Sequence, residues 1–132
     1  MNTDRNRELI RRWLAFGEGG FDGDFGEFIA DDYTGHSGGG EDMDRAELER
    51  LERGFAAAFG NVRYAIQDLI AENDRVVLRV ETTGVHRGTF VGIPPTGRRV
   101  SLTGIVIYRI ADGKIAESWA ELDFGRLLRQ LR

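Results

Sequence analysis

Cysteine is absent from this chain of 132 residues, and that absence excludes disulfide bonds, thiolate zinc sites and a cysteine nucleophile. The two histidines are too few for a metal site built from three histidines. No apolar run approaches the roughly 18 residues that a membrane span needs, and the first residues lack the apolar stretch of a signal peptide. We therefore expect a protein of the reducing cytoplasm with no membrane partner.

Positively charged residues are also fewer than negatively charged ones: the chain has 18 Lys and Arg and 22 Asp and Glu, for a net charge of −4. This balance argues against a dedicated nucleic-acid binder, so no nucleic-acid partner is expected. The length suits one domain, residues 1–132, with a single core. With 41% hydrophobic and 30% charged residues, the composition is that of a globular protein.

Two amphipathic helices are predicted in the first half of the chain. The first is capped by Thr3 or Asp4 and continues to about Gly17. The second runs from about Asp44 to Phe59, and Gly60 ends it. Spacings of three and four residues define an apolar face, and charged residues fill the opposite one. For the second helix these faces are Leu48, Leu51, Phe55 and Phe59, against Glu49, Arg50, Glu52 and Arg53.

The second half of the chain predicts four strands, the clearest of them rich in Val and Thr. They span about Arg63–Ala71, Arg75–His86, Val100–Ile110 and Lys114–Asp123, and a short amphipathic tail follows at 124–131. Ahead of them, residues 24–30 are predicted as a short helix, 31–36 as extended chain and 37–40 as a loop. Helices followed by an antiparallel meander indicate an α+β fold: a cone-shaped, curved antiparallel sheet packed on the N-terminal helices and enclosing a pocket.

Alternation along the strands selects candidate pocket residues. In the strand that ends at His86, the more apolar row places that histidine inward, either as a functional group or as a structural histidine. In the last strand one face carries Ile115, Glu117, Trp119, Glu121 and Asp123. The tryptophan indicates that this face is partly covered. Residues two apart on a strand lie about 6.6 Å apart, so Glu121 and Asp123 can influence each other's ionisation, as suits acid–base catalysis. The alternative is a solvated acidic face.

Four further side chains are candidates by position. His36 precedes a glycine-rich loop, where it either faces a ligand or is an ordinary loop histidine. Arg79 is either a cation for a ligand or the partner of acids across the sheet. Tyr108 belongs to a predominantly apolar row, so its ring is predicted in the core with a hydroxyl that can reach a cavity. Trp13 lies on the apolar stripe of the first helix.

Two motifs in the second half resemble one known family. The first is His86-Arg87-Gly88-Thr89-Phe90 with Gly92-Ile93-Pro94-Pro95-Thr96-Gly97-Arg98. The second runs through Tyr108-Arg109-Ile110, Asp112-Gly113-Lys114-Ile115, Glu117 and Trp119 to Asp123 and the tail Leu127-Leu128-Arg129-Gln130-Leu131. Both resemble the SnoaL-like polyketide cyclases, or ester cyclases, of the nuclear-transport-factor-2-like superfamily. The first half is similar more loosely, through His36 and the glycines after it, so the resemblance covers nearly the whole chain.

The resemblance implies a cone-shaped α+β barrel, a homodimer, and neither a metal nor an organic cofactor. It also implies that Asp123, by motif position, is the acid/base for an intramolecular aldol closure of a polyketide-like or polycarbonyl small molecule. Trp119, His86 and His36 occupy positions where the family lines its pocket. The candidate catalytic residues are Asp123, His86 and His36. The candidate substrate-binding residues are Trp119, Glu121, Tyr108, Arg79 and Trp13.

Two other functions remain open for the same pocket. An epoxide hydrolase or isomerase would use the same acid groups to activate water or to shuttle a proton. A non-catalytic protein would hold an apolar ligand without converting it. Family and fold do not by themselves fix the chemistry, and the sequence does not name the substrate.

Overall fold

The computed structural model describes residues 2–38 and 40–132, and it packs helices on one face of a curled, unclosed five-stranded sheet. The helices are α1 (Thr3–Glu18), α2 (Arg45–Ala58) and α3 (Phe124–Gln130), with one turn of 3₁₀ helix at Phe25–Glu27. The strands are β1 (Ile29–Ser37), β2 (Phe59–Glu72), β3 (Arg75–His86), β4 (Arg99–Ala111) and β5 (Lys114–Leu122). The predicted α+β class is confirmed. Within the two described ranges, every helix is too short or too polar to cross a bilayer.

The cap of α1 lies one residue before the predicted ones. The side chain of Asn2 accepts a hydrogen bond from the Arg5 N–H at 3.0 Å, so the N-cap is Asn2 and not Thr3 or Asp4. The apolar stripe is as predicted, with Leu9, Ile10, Trp13 and Leu14 buried. The Trp13 ring has its centroid 5.3 to 5.9 Å from those of Phe16, Phe21, Phe25 and Phe28. These aromatic contacts join α1 to the segment that leads into β1.

The short helix predicted over 24–30 is a single turn. The chain is extended from Ile29 onward, because Ile29 pairs with Ile115 of β5 and the sheet overrides local helical propensity. The extended chain predicted at 31–36 is confirmed as part of β1, which also includes Ser37. Gly39, in the predicted loop, lies outside the described residues.

The start of α2 agrees with the sequence, but its end does not. The Asp44 side chain accepts from the Glu47 N–H at 2.9 Å and the Glu47 carboxylate accepts from the Asp44 N–H at 3.4 Å, which is a capping box. Gly60 does not end the helix. The backbone is already extended at Phe59, which opens β2 and pairs with His86 without an intervening loop.

The inward face of α2 also differs from the predicted face. Leu51 was expected on the apolar side, yet 59% of its surface is exposed. Leu48 and Ala56 pack against the main core. Glu52 lies four residues from each of them, is partly buried, and shares their face although it was assigned to solvent.

The strand order is β1-β5-β4-β3-β2, with β1 parallel to β5 and the other neighbouring pairs antiparallel. The predicted inward row of β3 is confirmed. Its Val76, Leu78 and Val80 pack against α1 in the main core, and Thr82 and His86 are buried further along the strand. A second apolar cluster lies under α3 and contains Phe59, Val62, Val100, Leu102, Leu127 and Leu131.

A bulge in β5 reverses part of the predicted pattern. Arg109 of β4 pairs with Glu117, but the next residue, Ile110, pairs with Ile115, so Ala116 is an extra residue on β5. Ile115 therefore faces the core. Glu117 faces the opposite side of the sheet, away from the helices, and the prediction that these two share a face is wrong.

The reversal continues to the end of the strand. Ser118 lies opposite the buried Tyr108 and faces inward, whereas Trp119 lies opposite Ile107 and faces outward, as does Glu121 two residues later. The strand ends at Leu122. Asp123 is consequently not a strand residue, and it does not share a covered face with Trp119 and Glu121 as predicted.

Candidate functional site

A group of polar side chains lies between the helices and the inner face of the sheet. It includes Trp13 of α1, Tyr33 of β1, Tyr64 of β2 and Tyr108 of β4. The hydroxyl of Tyr33 forms a hydrogen bond of 2.7 Å with Oγ of Ser118. Burial raises the pKa of all three tyrosines, so their hydroxyls remain hydrogen-bond donors across the physiological range. The predicted Trp13 and Tyr108 both belong to this interior.

Glu52 faces the same interior from α2. Burial raises the pKa of Glu52 to about 7. Its negative charge in turn contributes to the raised pKa values of Tyr33, Tyr64 and Tyr108. In the part of the chain that the structure describes, no cation pairs with Glu52. Sequence reasoning missed this residue, and the signal that was available is its spacing of four from Leu48.

His86, the last residue of β3, is fully buried, with 0% of its surface exposed. Its Nδ1 accepts a hydrogen bond from the Thr96 N–H at 3.1 Å, and the Thr96 hydroxyl lies 3.0 Å from the same nitrogen. Because an amide N–H only donates, Nδ1 is unprotonated and the neutral ring carries its proton on Nε2. Nε2 has no partner among residues 2–38 and 40–132. Thr96, from the predicted loop at 92–97, thus fixes the imidazole and leaves one N–H free.

Asp123 lies at the start of α3, where its N–H donates to the carbonyl of Thr103 in β4 at 3.0 Å. Its carboxylate accepts a hydrogen bond from the Arg126 N–H at 3.0 Å and caps the helix, while the side chain stays exposed. α3 packs through Leu127 on the cluster that contains Phe59. The ring of Phe59 in turn lies 5.3 Å from that of His86. The two candidates share one region, although no hydrogen bond joins them within the described chain.

His36 is not in the interior. It projects from the outer face of the sheet, where Nε2 lies 2.7 Å from Glu117 and Nδ1 lies 2.8 Å from Asp42. The hydrogen bond to Glu117 and then that to Asp42 raise the pKa of His36. The hydrogen bonds from His36 and Arg109 hold the pKa of Glu117 below its usual value. The imidazolium is therefore part of a surface ion-pair network.

Three further candidates also lie on the outer face. Trp119 stacks beside His36 on one side, and the Arg75 guanidinium lies 4.7 Å from the centre of its ring. Arg79 bonds to Asp68 at 2.6 Å, which matches the alternative of a cross-strand acid partner. Glu121 is exposed on the same face. The structure separates Trp119, Glu121 and Arg79 from the interior that holds Trp13 and Tyr108.

In the described ranges, no three or more His, Asp or Glu side chains are arranged to hold a metal ion. A surface groove is bordered by Asp31, Asp32, Arg109 and Lys114. Arg109 pairs with Arg75, the first residue of β3, whereas His86 is the last, so this groove is at the far end of the sheet. The candidate site is the interior and the adjoining cluster under α3, because the predicted residues Trp13, Tyr108, His86 and Asp123 lie in or beside them.

Comparison with known proteins points to one group. A family model described as SnoaL-like polyketide cyclase matches residues 7–131. The aklanonic acid methyl ester cyclase DauD of Streptomyces sp. (strain C5) is 33% identical over an alignment of 132 positions, gaps included, which covers 94% of this chain and 80% of DauD.

Solved structures give the same fold. AclR from Streptomyces galilaeus, a proposed hydroxylase, has a TM-score of 0.89 and 28% identity, and the match covers 98% of this chain and 82% of AclR. IdmH from Streptomyces antibioticus, a proposed polyketide cyclase, has a TM-score of 0.83 and 28% identity, with 96% of this chain and 97% of IdmH covered. The similarity therefore extends over nearly the full length in both directions.

Proposed function

This chain belongs to the SnoaL-like polyketide cyclase family, and from that premise we propose that it closes a ring in a polyketide-like or polycarbonyl small molecule. The proposed reaction is an intramolecular aldol closure, in which a carbon next to one carbonyl group bonds to the carbon of another. DauD, whose name records a cyclase, supports this assignment through its 33% identity. Because the steps are proton transfers and one carbon–carbon bond formation, the proposed reaction uses no metal or organic cofactor.

Asp123 is the proposed base. Its motif position matches the family's pocket aspartate, and its exposed carboxylate is open to a ligand. The carboxylate removes a proton from a carbon next to a carbonyl, and the electron pair moves onto that carbonyl oxygen to give an enolate. The enolate carbon then attacks a second carbonyl carbon, whose oxygen takes up a proton. All atoms stay in the molecule, so the product has the mass of the substrate.

The observation that carries this mechanism is the buried N–H at Nε2 of His86, which has no partner in the described chain. A buried donor left without a partner costs about 1–3 kcal/mol, so a ligand oxygen that accepts this hydrogen bond is favoured. An enolate oxygen suits the position, because negative charge strengthens the bond and a fixed donor needs no reorganisation. We propose that His86 stabilises the enolate as a neutral donor.

The other predicted residues divide by their position. Trp13 and Tyr108 remain proposed substrate contacts, since both carry a polar group in the interior, where they are buried in the main core. His36, Trp119 and Arg79 lie on the outer face, so we assign them no part in the proposed chemistry. A folded substrate held between α1, α2 and the sheet would react as a single molecule, which gives closure the advantage of proximity.

The test is an assay with aklanonic acid methyl ester, the compound in the name of DauD, on the wild type, Asp123→Asn and Glu121→Gln. Asparagine is a good N-cap, so Asp123→Asn keeps α3 intact while it removes the base. We expect ring closure by the wild type, a rate lower by at least about 10²-fold in Asp123→Asn, and an unchanged rate in Glu121→Gln. Full activity in Asp123→Asn would show that another group is the base.

Product mass separates the remaining functions. Ring closure or isomerisation leaves the mass unchanged, and nuclear magnetic resonance of the product distinguishes the two. Hydrolysis in ¹⁸O-labelled water adds a labelled oxygen. Tight binding with no product, for this ester and for shorter polycarbonyl compounds, would establish a ligand-binding protein and refute the cyclase proposal.

Self-association is the second part of the proposal. Four outward-facing residues on neighbouring strands form an apolar row across the sheet, here called the outer row: Ile70, Val77, Ile107 and Trp119. Ile70 at its end is 59% exposed. Charged pairs flank the row, among them Arg79–Asp68 and Arg109–Glu117. We propose that two copies bury this row against each other as a homodimer.

The proposed location is the cytoplasm, which recovery of the protein from membrane or secreted fractions would contradict.

A further inference from the structure

One acid in the interior has no part in the chemistry proposed above. Glu52 stands in the middle of α2, on the face formed by Leu48 and Ala56, both of which pack against the main core. Helix periodicity therefore directs its side chain at the inner face of the sheet. Part of the side chain remains accessible.

Among residues 2–38 and 40–132, the titratable groups that interact with Glu52 are tyrosines of three strands, and none of them is a cation. β1 supplies Tyr33, β2 supplies Tyr64 and β4 supplies Tyr108. Glu18 of α1 contacts the backbone of one of them, because its carboxylate accepts a hydrogen bond from the Tyr64 N–H at 2.8 Å. Three tyrosines thus lie around the carboxyl group, and its burial favours the neutral form.

We propose that Glu52 is a proton donor to the substrate, delivering its proton to the carbonyl oxygen that the enolate carbon attacks. This rests on the proposed cyclase function and adds a second group to it. The carbon–carbon bond forms as the carbonyl electron pair moves to oxygen, and that oxygen takes the proton from Glu52. The cycle leaves Asp123 protonated and Glu52 ionised. Transfer of one proton from Asp123 to Glu52 through solvent restores both.

The two carboxyl groups suit opposite roles because their surroundings differ. Asp123 is exposed and its carboxylate accepts a backbone N–H, so it is open to a substrate as the proposed base. Glu52 is enclosed by protein, and burial raises its pKa to about 7, so it keeps its proton under mildly acidic to neutral conditions. Two acids whose surroundings differ in this way can take and give a proton in one reaction.

Glu52→Gln tests the proposal, with Glu49→Gln as the matched control. Glutamine keeps the size and neutrality of the protonated acid but cannot transfer a proton. Glu49 lies on the same helix and already pairs with Arg53 at 2.9 Å, so its change removes only a partly exposed ion pair. We expect kcat to fall by about 10²-fold or more in Glu52→Gln, with KM little changed, and both constants to keep their wild-type values in Glu49→Gln.

The pH dependence gives a readout that a structural role would not produce. The wild-type rate should fall above about pH 7 as Glu52 loses its proton. That decline should be absent from the residual activity of Glu52→Gln and displaced in Glu52→Asp, which retains a titratable acid. Thermal unfolding of each variant at pH 6 checks that the fold is intact.

The outcomes separate this inference from the cyclase function. Loss of ring closure in Asp123→Asn and Glu52→Gln, with Glu49→Gln active, supports both. A fully active Glu52→Gln with the wild-type pH profile, beside an inactive Asp123→Asn, overturns the role of Glu52 and leaves the cyclase standing. A wild type that closes no ring in the polycarbonyl substrates overturns both.

Discussion

His36 stacks on Trp119 across the parallel pair of β1 and β5, with ring centroids 5.4 Å apart, on the side of the sheet turned away from the helices. Both imidazole nitrogens also meet carboxylates, Glu117 at 2.7 Å and Asp42 at 2.8 Å. The charged form of His36 is the one that satisfies both bonds. A histidine that the motif comparison assigns to a pocket is thus part of the outer surface.

This geometry predicts a pH-dependent contribution of His36 to stability. The folded-state pKa of His36 lies above the ordinary value of 6.5, so its stabilising effect is complete below that value and is lost as pH rises through the folded-state pKa. We expect the free energy of unfolding of the wild type to exceed that of His36→Asn at pH 6 and the difference to shrink by pH 9. Urea unfolding at both pH values measures it.

Asp42→Asn is the control, because it removes the negative charge of one partner of His36 and leaves the ion pair with Glu117 in place. Its loss at pH 6 should be smaller than that of His36→Asn. The pH dependence of the Glu117 contribution has the opposite sign: because its pKa is lowered, its stabilising effect is complete above the ordinary value of 4.5 and is lost as pH falls through the folded-state pKa. A difference between wild type and His36→Asn that stays constant from pH 6 to pH 9 would refute the imidazolium pair.

The outer row predicts where a charge breaks the proposed homodimer. Ile107 lies in its middle, opposite Val77 on one strand and Trp119 on the other. Ile107→Glu should convert a dimer to a monomer in light scattering, because the new carboxylate would be buried without a partner. Leu51→Glu is the control, since Leu51 is equally apolar but exposed on α2. A monomeric wild type would refute the proposed interface.

Substitution of alanine for Gly54 and for Gly17, each of which lies in a helix, should change the free energy of unfolding in opposite directions. A Cβ at Gly54 of α2 meets no atom within 4 Å, so Gly54→Ala should stabilise the protein by about 0.5–1 kcal/mol through helix propensity. A Cβ at Gly17 of α1 would lie 2.8 Å from the Tyr64 hydroxyl and 2.9 Å from the Phe21 ring. Gly17→Ala should therefore destabilise the protein, by about 1–3 kcal/mol as is usual for overpacking. Urea unfolding of both variants gives the comparison, and changes of the same sign would contradict it.

The elements that the sequence predicts well are those with one uninterrupted period. The stripe of α1 and the inward row of β3, from Val76 to His86, follow directly from helical and strand spacing. Trp13, on the stripe of α1, and Tyr108, in the apolar row of β4, also lie in the interior as expected. Hydrophobic burial selects one face over the whole length of such an element, so the pattern and the structure agree.

The predictions of the inward face are wrong where a single residue shifts the periodic pattern of a strand or helix. The extra residue Ala116 reverses the face of Trp119, and a small apolar residue in a strand gives no sign of a bulge. In α2 the helical period admits a face centred on Leu51 or on Glu52, and charge alone favours exposing the glutamate. The structure shows the reverse, because α2 enters β2 directly and this connection sets its rotation.

Because α2 runs directly into β2, no loop between them can absorb an extra residue. The carbonyl of Ala58 accepts hydrogen bonds from the N–H groups of Arg87 at 2.8 Å and Gly88 at 2.9 Å, and Phe59 is already held by His86. One residue inserted ahead of Ala58 would turn the preceding helix by about 100° relative to the sheet. Glu52 would then point away from the tyrosines while its distance along the helix hardly changed. The number of residues at this junction therefore determines the direction in which the Glu52 side chain points. An insertion or deletion here would turn that side chain away from the interior.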